Sequence, residues 1–67
     1  MSTPLFKSRI GYVTATVWKN DQFYSVKVSR SYRDGEDWKE TDNLGHADVL
    51  CAIKALERAE AFIASQP

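Results

Sequence analysis

Six side chains in this sequence have types suited to holding a chain of phosphates and flat bases: Tyr12, Trp18 and Phe23, with Lys27, Arg33 and Lys39. An aromatic ring offers a stacking platform worth about 1 to 3 kcal/mol per base, and ammonium and guanidinium groups contact phosphates. Thr14, Thr16, Ser25, Ser29, Thr41 and Asn43 interleave with them and add hydroxyl and amide groups. Catalytic chemistry has much thinner material. His46 pairs on paper with Asp48 or Cys51, but it follows Gly45 at the start of a helical stretch and no third, orienting group is implied. One histidine and one cysteine cannot supply the roughly four ligands of a protein-only zinc site, and no phosphate-cradling glycine loop is present. The expectation is a non-enzyme with no cofactor and no metal.

The elements that must position these residues are strands. Residues 10–18 alternate, with Val13, Ala15 and Val17 on one face and Tyr12, Thr14, Thr16 and Trp18 on the other, and β-branched and aromatic types dominate. Asn20-Asp21 suits a two-residue hairpin turn, since both types tolerate positive φ. With those two as the loop, Trp18 faces Phe23, Val17 faces Tyr24, Ala15 faces Val26 and Val13 faces Val28. Every pair joins like with like, and a slip of one residue would mix the faces. The second strand runs to about Tyr32, and Gly35 marks a polar turn. Residues 38–44 form a third strand of weaker alternation. An odd-length loop pairs Tyr32 with Trp38, Arg30 with Glu40 and Val26 with Leu44, and is preferred because it matches charge with charge and apolar with apolar. A two-residue loop at Asp34-Gly35 sends Trp38 and Glu40 to the opposite face.

Residues 47–64 contain no glycine or proline and read as a helix, with Asp48 in its first turn. Val49, Ala52, Ala55, Leu56, Ala59, Phe62 and Ile63 share one face, and the alanines permit close approach to a sheet. Leu50 falls among the polar positions, where it can mark a partner contact. The fold class expected is α+β: a three-stranded antiparallel sheet packed on one face by a C-terminal helix, β-β-β-α. Val13, Ala15, Val17, Tyr24, Val26, Val28, Trp38 and Leu44 lie under the helix, and the six residues named first lie on the uncovered side, free of carboxylates. Residues 1–9 are expected to be a flexible N-terminal segment, with Leu5 and Phe6 lidding one end of the core or, less simply, forming a short extra strand or a dimer contact. Residues 10–66 make a single domain.

A chain of 67 residues with 43% hydrophobic and 27% charged residues is one globular domain that buries only about 60% of its unfolded surface. A homodimer would relieve that shortage. One cysteine excludes an internal disulfide, no apolar run nears the ~20 residues of a membrane span, and no signal-peptide h-region opens the chain. A cytoplasmic protein without a membrane partner is expected. Net charge is zero, yet residues 1–33 hold six cations against one acid and residues 34–67 hold three against eight. The two halves therefore carry +5 and −5.

The runs ATVWKN (residues 15–20), YSVKVSRSYRDG (residues 24–35) and WKET (residues 38–41) resemble a family of short bacterial, plasmid and phage proteins with the pattern ATVWxN, YSVxxSRxYxDGxxWKxT. The resemblance covers residues 10–63 and brings no activity with it. The strand order is similar to that of AP2-type and integrase arm-binding domains, which implies nucleic-acid contact through the sheet. Together these readings lead to a small nucleic-acid-binding module that favours single-stranded DNA over duplex. The alternative is a protein-binding inhibitor or adaptor acting through the same aromatic face or through an acidic surface that mimics nucleic acid.

Overall fold

The computed structural model describes residues 3–66. Met1 and Ser2, which open the expected N-terminal segment, and Pro67 lie outside the described residues. The chain forms β1 (Phe6–Ile10), β2 (Val13–Asn20), β3 (Phe23–Asp34), β4 (Asp37–Thr41), a short 3₁₀ turn (His46–Asp48) and α1 (Val49–Ala64). The four strands make one antiparallel sheet in the order β1-β2-β3-β4. An α+β chain with an antiparallel sheet and a C-terminal helix is what the sequence implies. The strand count is not: there are four, and the added one is β1, four of whose five residues fall in the segment 1–9 expected to be flexible.

The reason β1 forms is clear from its partners. Phe6, Ser8 and Ile10 alternate inward opposite Val17, Ala15 and Val13, and the Phe6 ring stacks on Phe62 of α1 at 4.6 Å and 13°. The Leu5 N–H donates to the Val17 carbonyl at 2.9 Å, extending the ladder by one rung. Gly11 makes the turn into β2 with a φ of 62°. Ser8 hides the strand in the sequence, because it puts a polar residue at a position where the pattern calls for an apolar one.

The β2–β3 hairpin turns at Asp21-Gln22, one residue later than expected, with Asp21 at φ 55°. Trp18 accordingly faces Ser25, Thr16 faces Lys27, and Val17 faces Val26. Moving the loop by one residue shifts the cross-strand partner by two, and a shift of two leaves every side chain on its expected face. The third turn corrects the sequence reading more deeply. The loop is the two-residue pair Gly35-Glu36, so Arg33 faces Trp38, Tyr32 faces Lys39 and Ser31 faces Glu40. The odd loop rests on matching Arg30 with Glu40 and Val26 with Leu44, but an exposed ion pair contributes at most about 1 kcal/mol and β4 ends at Thr41, short of Leu44. Arg30 instead meets Asp48 at 3.5 Å.

Val13, Ala15 and Val17 of the sheet and Ala52, Ala55 and Ala59 of the helix are buried, and the alanines let α1 lie close across β1 and β2. It touches β3 at few points. The cover over β3 is consequently partial: Tyr24 and Val28 pack against the core, but Val26 is exposed, as are Val49 and Leu56, against the expectation that they face the core. Leu44 lies beyond β4 and is also exposed. None of the helices among the described residues is long and apolar enough to cross a membrane.

Candidate functional site

Strand parity builds the site. On the side of the sheet away from α1, cross-strand neighbours fall into rows: Lys7, Thr16 and Lys27; then Arg9, Thr14 and Ser29; then Tyr12, Ser31 and Glu40; then Arg33 and Trp38. Trp18 and Ser25 close the opposite end. Successive rows are about 7 Å apart, so Trp18 and Tyr12, six residues apart on one chain, are separated by about 20 Å. The first two rows, with Trp18 at one end and Ser31 and Glu40 at the other, line a shallow concavity of about 410 Å³.

Of the six residues singled out by the sequence, Trp18 and Lys27 sit together in that concavity. Tyr12 and Arg33 lie in an adjoining cleft with Ser31 and Trp38. The Tyr12 and Trp38 rings stack at 5.9 Å and 27°. Phe23 is on the same side but at the hairpin tip, 74% exposed and outside either depression. Lys39 does not belong to the site: it faces Tyr32 on the helix side, where its ammonium meets Asp34 at 3.0 Å. Thr41, opposite Arg30, is on the helix side as well.

Three site residues escaped the sequence reading. Lys7 and Arg9 alternate with Phe6, Ser8 and Ile10, a signal visible only once Ser8 is accepted as inward-facing. Trp38 lies on the open face and not in the core, because the two-residue turn sets the parity of its strand. The same parity carries Glu40, and beside it Asp42, to the border of the site, correcting the expectation of a face without carboxylates. These acids follow the β4 edge, whereas Lys7 and Arg9 are on β1. The face thus grades from basic at β1 to acidic at β4.

Two arginines are held by the same local device. The Arg9 Nε–H donates to the Gly11 carbonyl at 3.0 Å and the Arg33 Nε–H to the Gly35 carbonyl at 2.9 Å. In both cases the acceptor is a turn glycine at positive φ two residues further on. Each guanidinium has five N–H donors, so the Nη groups stay free to meet an anion. Among the described residues, Lys7, Arg9, Lys27 and Arg33 form no ion pair with a carboxylate. His46 is exposed in the 3₁₀ turn, and Cys51 packs toward Gly11 on the far side of the sheet. Among the described residues, no three His, Cys, Asp or Glu side chains come together as metal ligands. Comparison with family models, curated proteins and solved structures gives no match to this chain.

Proposed function

We propose that the protein binds single-stranded nucleic acid, DNA in preference, along the uncovered face of its sheet. The observation that carries this reading is the spacing of unlike groups. Trp18 forms one flat platform and the Tyr12–Trp38 stack another about 20 Å away. Between them lies a floor of Lys7, Arg9, Lys27 and hydroxyls. Bases stack on the platforms while the cations and hydroxyls take the backbone between them, the division of labour by which sheet surfaces hold single strands. A duplex hides its base faces, so the platforms favour an unpaired strand.

Two stacks contribute roughly 2 to 6 kcal/mol, which, with the cations, places one protomer between about millimolar and micromolar affinity. Four neutralised phosphates give a salt slope near −0.7 × 4, about −3, and the acids of the β4 edge pull it toward about −2. The test is fluorescence anisotropy of a labelled oligothymidylate over a salt series. Binding should weaken by about 100- to 1000-fold for a tenfold rise in salt. Lys27→Glu and Arg9→Glu should weaken it further, and Lys39→Glu, on the other side of the sheet, should leave it unchanged. Absence of binding at low salt would eliminate the reading and leave the protein-directed inhibitor or adaptor, which would use the same aromatic surface.

A further inference from the structure

The helix has a second apolar surface that the fold does not use. Leu50, Ile53 and Leu56 are 76%, 54% and 41% exposed, and at 100° per residue they fall on one flank of α1 together with Val49. Cys51 and Phe62, on the other flank, pack toward Gly11 and Phe6 at the β1 side. The bare flank therefore looks toward β3, which α1 touches at few points and where Val26 is 41% exposed. We infer that this surface is the interface of a homodimer, with the helix flank of one copy packed on the flank of the other and covering its exposed Val26.

Three observations select a second copy as the occupant. First, a folded monomer of 7.6 kDa exposes about 4,300 Å², whereas this chain exposes 5155 Å². The surplus, roughly 850 Å², matches the ~800 Å² that each partner contributes to a standard interface. Second, the radius of gyration is 12.8 Å against about 10.9 Å for a compact chain of this length, and the largest fully buried side chains are two valines. The monomer's core is undersized. Third, the stripe is self-complementary. Leu50, Ile53 and Leu56 are evenly spaced about Ile53, so a two-fold axis there sets Leu50 of one helix opposite Leu56 of the other, as an isologous contact requires, with Val49 at the edge of the contact.

The inference does not depend on the nucleic-acid reading, because its test needs no ligand. Sedimentation of the full chain from micromolar to sub-millimolar concentration should give twice the 7.6 kDa chain mass. Ile53→Glu sets like charges against each other at the axis and should weaken the dimer at least tenfold, with an unchanged circular dichroism spectrum since Ile53 is exposed. If Ile53→Glu fails to fold, L50K/L56E and L50E/L56E decide the matter. The first puts opposite charges across the axis and should dimerise more strongly than the second, which puts acid against acid. A wild-type chain that stays monomeric throughout, or a dimer indifferent to these charges, overturns the inference.

Discussion

At the scale of single residues, the open face depends on what each side chain is held by. Trp18 and Trp38 are the two indole platforms, and Trp18→Ala or Trp38→Ala should each raise the dissociation constant for an oligonucleotide by about 5- to 150-fold, the equivalent of one lost stack. The Phe23 ring stands apart at the hairpin tip, so Phe23→Ala should matter less than either in the same titration. Glu40 lines the same concavity as the basic floor, and Glu40→Gln should tighten binding a few-fold while steepening the salt slope; weaker binding would count against the proposed path of the strand. Away from the site, the Ser8 hydroxyl is buried without a hydrogen-bond partner among the described residues. Removing an unsatisfied buried hydroxyl stabilises by about 1 kcal/mol, so Ser8→Ala should raise the melting temperature by about 4 to 8 °C. On the helix, the Lys54 ammonium donates to Glu57 at 2.9 Å and holds that carboxyl below its ordinary value of 4.5. A depressed folded-state value means the pair's contribution is present above that range and lost as pH falls through it. In an NMR titration, Glu57 should protonate at lower pH in the wild-type chain than in Lys54→Ala, since the lysine is the main cause of the depression.

The elements differ in how legibly the sequence specifies them. Strands β2 and β3 and helix α1 are plain in it, because long alternating runs and an alanine-rich 3.6-residue period leave few alternatives. The face assignment of β2 and β3 even withstands the misplaced turn, since an error of two residues conserves parity. Strand β1 is obscured by one inward serine, and Lys7 and Arg9 are obscured with it. Strand β4 is short, with five residues and little alternation, so its face follows from the turn before it and not from its own pattern. That turn is set by Gly35, whose φ is 65°. An exposed ion pair does not outweigh that two-residue geometry, so Trp38 and Glu40 lie on the open face and Lys39 on the helix side, the reverse of the expected faces. Space around Gly35 is open, so the cost of Gly35→Ala comes from the backbone alone. It should be about 1 kcal/mol, seen as a lower urea midpoint with an unchanged slope. A neutral substitution would mean the turn does not need positive φ.

Across the whole molecule, the +5 and −5 halves of the chain are rearranged by folding. The acids Asp34, Asp48 and Glu57 are engaged by Lys39, Arg30 and Lys54, all away from the open face. Lys7, Arg9, Lys27 and Arg33 are left together on it. A neutral chain thereby presents one locally basic surface, and net charge alone conceals it. Thinness is the companion property: at 42 × 28 × 14 Å the protomer is little more than one sheet and a partial cover. Dimerisation through the helix flank would complete that cover and supply two open faces per particle. A strand long enough to reach both would then be held more tightly than one protomer holds it.

The most direct test of sheet-face recognition is the map of backbone amide shifts as unlabelled oligothymidylate is added to isotope-labelled protein. The expected map follows strand parity, with the largest changes at Lys7, Arg9, Thr16, Trp18, Lys27 and Trp38, a saturating response, and nearly silent amides along Val49–Ala64. Changes concentrated on the helix, or none at low salt, would contradict it.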